Sequence, residues 1–114
     1  MGDEEDRKRV AVVIEGRVQG VGFRPFVYGQ AVANNLSGFV CNTPQSVYIE
    51  AEGSSADIKA FLDSIRYHPP QQSVIKHMSV AFLPVKQETG FKIEKSLQET
   101  GVSLASAEVC PDMA

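Results

Sequence analysis

The stretch from Gly16 to Phe26, GRVQGVGFRPF, constrains the fold more than any other, because three glycines join a strand-like run to a helix-like pattern. The preceding run, Val10 to Ile14, is apolar and β-branched, which is typical of a central strand. From Phe23 to Ala31, apolar residues recur at every fourth position, as on one face of a helix. The glycines permit positive φ angles and leave the backbone amides uncovered by side chains. The sequence therefore predicts a strand, a glycine-rich turn and a helix in succession.

A glycine-rich turn that leads into a helix can hold an anion. Successive N–H groups in one concavity, backed by the positive end of the helix dipole, suit a phosphate or a carboxylate. Arg24 falls in the first helical turn and would add a planar, permanently charged group, while Pro25 is compatible with a helix start. The spacing alone is equally compatible with an ordinary β–α turn that carries a surface arginine.

The rest of the chain predicts a ferredoxin-like α+β sandwich. After the first helix come a hairpin, a second helix for which Ser54-Ser55 offers an N-cap, a long peripheral strand and a short final strand. The expected ranges of these five elements are 39 to 42, 47 to 51, 54 to 65, 74 to 82 and 91 to 93. The order β-α-β-β-α-β plus a last strand places two helices on one face of an antiparallel sheet. Gly29, inside the first helix, predicts close packing against that sheet.

Composition and periodicity indicate one soluble domain with a tail at each end. The 114 residues are 43% hydrophobic and 22% charged, which is ordinary for a single globular domain. Residues 1 to 8 are charged and lack an apolar anchor, so we expect a disordered tail. Residues 96 to 114 lose the periodicity and are expected to form a linker, which leaves 9 to 95 as the domain.

Charge and cysteine content exclude several classes of protein. The net charge of −3 and the lack of a basic block disfavour a nucleic-acid partner. No apolar run approaches the ~20 residues that cross a membrane, and the first residues are charged, so we expect a cytosolic protein. Cys41 and Cys110 are too few for a disulfide framework or a four-ligand zinc site, so both are expected to be free thiols.

Four other titratable residues are weak candidates for chemistry. His68 adjoins two prolines and His77 lies among alternating strand residues, which favours surface or packing roles over catalysis. Glu50 and Glu52 share one strand face but lack a third ligand, so we predict solvated carboxylates and no metal site.

Two motifs together resemble the acylphosphatase family. Its signature is a glycine-flanked VQGV-x-FR loop followed by a G-x-V-x-N strand, and this chain has GRVQGVGFR and then GFVCN. The resemblance covers roughly residues 9 to 95. The continuation FRPFVYGQA, with proline directly after the arginine, is similar to the N-terminal acylphosphatase-like domain of the hydrogenase-maturation carbamoyltransferases. In that family a segment resembling AEVCPDMA leads into zinc-finger modules.

The resemblance implies a site and a reaction. Arg24 would bind the phosphate, Asn42 would orient the attacking water, and backbone amides would cradle the phosphoryl oxygens along the loop Val18, Gln19, Gly20, Val21, Gly22 and Phe23. The substrate would be an acyl phosphate, specifically carbamoyl phosphate in the larger enzyme. No cofactor is expected in this domain, since zinc and ATP belong to later domains. Hydrogenase-maturation proteins would be partners of the full-length chain.

Two alternatives stay open, a free-standing acylphosphatase and a non-catalytic ferredoxin-like module that only binds anions. The second gains weight from a departure in the motif. Family members commonly have an Asp-Gly type turn after the asparagine strand, whereas this chain has Thr43-Pro44-Gln45-Ser46. A shifted Asn42, or one that merely starts the turn, would weaken turnover while leaving anion binding intact.

Overall fold

The computed structural model describes residues 6 to 96 and contains the predicted succession of elements. They are β1 (Arg7–Arg17), α1 (Phe23–Ala33), β2 (Ser37–Asn42), β3 (Ser46–Ser54), α2 (Ser55–Tyr67), β4 (Val74–Leu83) and β5 (Phe91–Ser96). β1 includes residues 7 and 8 of the predicted tail. Residues 1 to 5, and the linker expected beyond residue 96, lie outside the described part of the chain.

The five strands form one sheet in the order β4-β1-β3-β2-β5. Three of the four pairings are antiparallel, and the predicted hairpin of β2 and β3 is confirmed. The predicted ferredoxin-like plan is confirmed, although β5 runs parallel to β2 and makes the sheet mixed at this edge. The reason is topological, because the chain leaves β4 at one edge and crosses the whole sheet before it forms β5 at the other.

The hydrophobic core lies between the sheet and the two helices. Alternate residues of β1 and β3 face the helices, because successive strand side chains point to opposite faces. The helices contribute residues at spacings of three and four. The largest fully buried apolar side chains of this layer include Val10, Val12, Ile14, Phe23, Val27, Ile49, Phe61 and Ile65. Burial of each such side chain contributes roughly 1.5–3 kcal/mol to folding.

Helix α2 begins at its predicted N-cap and extends to Tyr67, two residues beyond the predicted end. The hydroxyl of Ser54 accepts a hydrogen bond from the amide of Asp57 at 3.1 Å, which confirms the predicted N-cap. At the other end, the amide of His68 donates to the carbonyl of Ser64 at 2.9 Å, just before the two prolines.

Gly29 in α1 does not pack against the sheet, so that prediction was wrong. The residue is exposed, and a Cβ atom placed there would meet no atom within 4 Å. The helical repeat carries this position to the solvent side, while Phe23, Val27 and Ala31 face the core.

Candidate active site

The loop between β1 and α1 has the backbone conformation that its glycines predict. Gly20 and Gly22 adopt left-handed φ angles of 75° and 79°, which residues with a Cβ rarely adopt. Gly22 is the N-cap of α1 and offers no side chain to its first turn. Val18 is buried and anchors the start of the loop in the core. The loop therefore enters the helix with its amides uncovered.

The amides of this loop are available to an anion. Among residues 6 to 96, no amide from Gly20 to Phe23 donates a hydrogen bond to a backbone carbonyl, and the helical pattern begins with Phe26 donating to Gly22 at 3.2 Å. The first N–H groups of a helix have no intrahelical acceptor, and the helix dipole adds positive potential there. The geometry is that of an anion cradle at a helix N-terminus.

Arg24 is partly buried and lies against the end of the sheet. Its Nη1 donates to the carbonyl of Glu94 in β5 at 3.0 Å. Its charge also acts on Cys41 in β2. Burial raises the pKa of the Cys41 thiol to about 12, the negative charges of Glu94 and Glu50 raise it further, and the positive charge of Arg24 lowers it. The guanidinium is therefore held beside β2 and β5, at the same helix terminus as the amide cradle.

Asn42 ends β2 on the face of the sheet that carries the helices. It lies opposite Val47 of β3, whose side chain is in the core, and opposite Ser96 of β5. Its side-chain oxygen Oδ1 is buried and accepts no hydrogen bond from any residue that the structure describes. An unsatisfied buried acceptor costs about 1–3 kcal/mol, and such groups are rare outside sites that bind a ligand or water.

The side chain of Gln19 joins the loop to the turn after Asn42. Its Nε2 donates to the carbonyls of Thr43 and Ser46, at 2.7 and 2.8 Å. The sequence-based prediction used only the backbone of Gln19, because no pattern in the sequence shows which groups its amide would reach. The structure thus brings the loop, the start of α1 and the end of β2 to one end of the sheet.

The turn Thr43-Pro44-Gln45-Ser46 is closed by its own hydrogen bonds. The Thr43 amide donates to the Ser46 carbonyl at 2.8 Å, and the Ser46 amide donates to the Thr43 hydroxyl at 2.9 Å. The two hydroxyl oxygens lie 2.6 Å apart. The sequence of this turn departs from the family pattern, but Asn42 still pairs with Val47 of β3 at the end of β2.

Glu50 and Glu52 are not solvated, so that prediction was wrong. Both are buried on the sheet face opposite the helices, and the Glu52 side chain has no exposed area. Arg9, equally buried, donates to Glu52 at 2.9 Å and makes two bonds to Glu50, at 2.9 and 2.6 Å. Tyr48 donates its hydroxyl to Glu50 at 2.6 Å.

The segment between β4 and β5 covers these charges. The amides of Lys86 and Gln87 donate to the two oxygens of Glu52 at 3.0 and 2.8 Å, and Arg7 also binds this carboxylate. Burial by itself would raise the pKa of Glu52, but these hydrogen bonds and that of Arg9 lower it to about 2. These ion pairs have a structural role, because they lie on the sheet face opposite the helices, whereas Asn42 lies on the face that carries the helices.

Within residues 6 to 96, no three His, Cys, Asp or Glu side chains are grouped so that they could hold a metal ion. No helix in the same range is long and apolar enough to cross a membrane. His68 and His77 are both exposed.

Comparison with known proteins decides the family. A family model described as Acylphosphatase matches residues 10–93. The chain belongs to the acylphosphatase family. An acylphosphatase from Moorella thermoacetica is 40% identical over 90 residues, which are 78% of this chain and 96% of that protein. The predicted acylphosphatase-type domain is therefore confirmed.

Larger enzymes of a second kind also match. The probable carbamoyltransferase HypF of Methanocaldococcus jannaschii is 35% identical over 111 residues, which are 93% of this chain and 14% of that protein. A crystal structure of full-length HypF in a phosphate- and nucleotide-bound form superimposes with a TM-score of 0.77 and 44% identity, over 79% of this chain and 12% of that one. The chain thus spans about one seventh of these relatives, and the resemblance to both groups is confirmed.

Proposed function

We propose that this domain hydrolyses acyl phosphates, and that carbamoyl phosphate is its substrate. The observation that carries the proposal is the meeting of an amide cradle, Arg24 and the unsatisfied oxygen of Asn42 at one end of the sheet. A phosphoryl group needs dispersed hydrogen-bond donors and a cation, and a water molecule needs an acceptor beside it. The three features supply these groups together.

In the proposed reaction, water attacks the phosphorus atom. A bond forms between the water oxygen and phosphorus, the bond from phosphorus to the acyl oxygen breaks, and the electron pair leaves with the carboxylate or carbamate. Acyl phosphates have good leaving groups, so positioning and charge stabilisation can suffice without a protein nucleophile. The proton of the attacking water passes to phosphate or solvent.

The residues divide this work between them. The amides from Val18 to Phe23 and the guanidinium of Arg24 bind the phosphoryl oxygens, where negative charge is highest in the transition state. The Asn42 oxygen accepts a hydrogen bond from the attacking water and holds it in line with the leaving oxygen. An amide suits this task because it orients water without removing its proton. The step uses no cofactor.

Carbamoyl phosphate is favoured as substrate by the likeness to HypF. The relative from M. jannaschii is called a carbamoyltransferase, and the matching HypF structure is in a phosphate- and nucleotide-bound form. In a protein of that kind this domain would perform the first step of carbamoyl transfer in nickel-iron hydrogenase maturation and release carbamate to an ATP-dependent site elsewhere. Hydrogenase-maturation proteins would then be partners of the longer chain.

Phosphate release tests the proposal directly. The purified chain is mixed separately with carbamoyl phosphate, benzoyl phosphate and the ester p-nitrophenyl phosphate. We expect hydrolysis of both acyl phosphates and none of the ester, since p-nitrophenolate is a poorer leaving group than a carboxylate. In isotopically labelled water, the label should enter phosphate and not benzoate. Label in benzoate would contradict attack at phosphorus.

The two alternatives give other results. A general acylphosphatase would hydrolyse benzoyl phosphate with a kcat/KM well above that for carbamoyl phosphate. A module that only binds anions would bind inorganic phosphate and release none from either acyl phosphate. The latter gains no support from the turn, because Asn42 keeps its place in β2.

A further inference from the structure

We propose that the side chain of Gln19 is a positioning residue, which fixes Asn42 relative to the phosphate-binding loop. This inference rests on the proposed function, because it concerns the alignment of water with the bound phosphoryl group. In the proposed reaction only the backbone amide of Gln19 has a role. Its side chain connects the two halves of the site directly.

The side-chain amide of Gln19 has two N–H groups, and its Nε2 lies within hydrogen-bond distance of two carbonyl oxygens of the turn. It donates to the Thr43 carbonyl at 2.7 Å and to the Ser46 carbonyl at 2.8 Å, so each N–H group has an acceptor. Both distances are those of good hydrogen bonds. The two acceptors are the first and last carbonyls of the turn, so the amide spans its mouth.

The turn transmits this connection because it is stiff. The Thr43 hydroxyl accepts from the Gln45 and Ser46 amides, at 3.3 and 2.9 Å, and the Thr43 amide closes the turn on Ser46. A unit held in this way moves as one body, and Asn42 is the residue directly before it. Asn42 is held by its pairing with β3, and the turn that follows it is held by Gln19.

The contact of Gln19 with the turn affects the angle at which the water attacks phosphorus. The loop sets where phosphorus sits, and Asn42 sets where the water sits, so in-line attack depends on the distance between these two elements. A misplacement of about 1 Å can lower a rate by about 100-fold. The side chain of Gln19 bonds the turn and touches neither reactant, while its backbone amide stays in the loop, so loss of the side-chain amide should lower kcat and leave the affinity for phosphate nearly unchanged.

Two substitutions separate this role from general loop integrity. Gln19→Met keeps the length of the side chain and removes both donors. Gln19→Glu is nearly isosteric and, when ionised, places a carboxylate against two carbonyl oxygens. Gln45→Met is the matched control, because Gln45 is an exposed residue of the same turn. Circular dichroism and thermal unfolding establish that each variant is folded.

The readouts are kcat for acyl phosphate hydrolysis and the inhibition constant for inorganic phosphate. We expect both Gln19 variants to lose roughly 10- to 100-fold in kcat near pH 7, with less than about a 3-fold change in the phosphate constant. As the pH falls toward about 5, Gln19→Glu should recover relative to wild type because protonation restores one donor. Gln19→Met should not recover, and Gln45→Met should match wild type throughout.

Two kinetic outcomes overturn the proposal. An unchanged kcat in both Gln19 variants would remove the positioning role, and a parallel loss of kcat and phosphate affinity would make Gln19 a support of the loop alone. The nitrogen-15 NMR signal of the Asn42 side-chain amide gives a readout that needs no turnover. It should shift in Gln19→Met and not in Gln45→Met even if the wild-type chain hydrolyses nothing, whereas an unmoved signal would contradict the proposal. Inactivity of the wild type would contradict the proposed function alone.

Discussion

The guanidinium of Arg9 and the carboxylate of Glu52 form an ion pair at 2.9 Å in which neither side chain has any exposed area. The pair lies on the sheet face opposite the helices, beneath the segment that joins β4 to β5. Buried charges of this kind are tolerated only when they are paired and hydrogen-bonded, and Glu52 accepts bonds from two arginines and two backbone amides. This pair therefore helps to hold the segment between β4 and β5 against the sheet face opposite the helices.

Removing Arg9 should strongly destabilise the domain. In Arg9→Met, Glu50 and Glu52 lose their shared partner and stay buried, so we expect a loss of about 3–5 kcal/mol in the free energy of unfolding. Urea unfolding measures it. Lys8→Met is the matched control, since Lys8 is exposed on the same strand, and its effect should stay within about 0.5 kcal/mol. Equal effects of the two substitutions would contradict the account of this face.

The lowered pKa of Glu52 predicts a loss of stability in acid. A glutamate has a pKa of 4.5 when unperturbed, and the native environment lowers that of Glu52 to about 2. The unfolded chain therefore takes up a proton here before the native one does, and the stabilisation present above 4.5 is lost as the pH falls toward 2. Urea unfolding over this range should show a shallower decline for Glu52→Gln than for wild type. Parallel declines would show that Glu52 is not the group responsible.

Gly29→Ala should stabilise the domain. The position is exposed within α1, and an added Cβ meets nothing within 4 Å. Alanine is favoured over glycine inside a helix by roughly 0.5–1 kcal/mol, partly through the unfolded chain. The expected result is a higher urea midpoint with unchanged activity. A lower midpoint would show that Gly29 has a packing role that its surroundings do not reveal.

Cys41 should be chemically inert in the native protein. Burial raises the pKa of its thiol to about 12, and it has no exposed area, so almost no reactive thiolate forms near pH 8. In a Cys110→Ser background, a thiol reagent should label Cys41 only at the rate at which the domain unfolds. Rapid stoichiometric labelling under native conditions would contradict this burial.

The sequence predicted most of the elements because local patterns determine them. Phe23 begins α1 and Ser54 caps α2 as expected, since periodicity and capping are properties of neighbouring residues. The solvated reading of Glu52 failed for a different reason. Alternation shows which face a residue occupies, but not that the amides of Lys86 and Gln87 fold back over it from 34 and 35 residues away.

In the candidate site, too, some features follow from local sequence and others depend on tertiary structure. The motif singles out Arg24 and Asn42 as candidates, and the positive φ angles of the loop follow from its glycines. The side-chain contact of Gln19 with the turn spans 24 residues and depends on the pairing of β1 with β3. The parallel register of β5 beside β2 also depends on tertiary topology, which no local pattern encodes.

The central claim is that Arg24 and Asn42 do different work in one hydrolytic site, and phosphate release from carbamoyl phosphate by three variants tests it most directly. Arg66→Ala, an exposed arginine at the end of α2, is the control and should match wild type. Arg24→Ala should lose at least about 100- to 1,000-fold in kcat/KM together with phosphate affinity, because it removes the main cation of the cradle. Asn42→Ala should lose kcat strongly and keep phosphate affinity. Unchanged hydrolysis in Arg24→Ala would contradict the account.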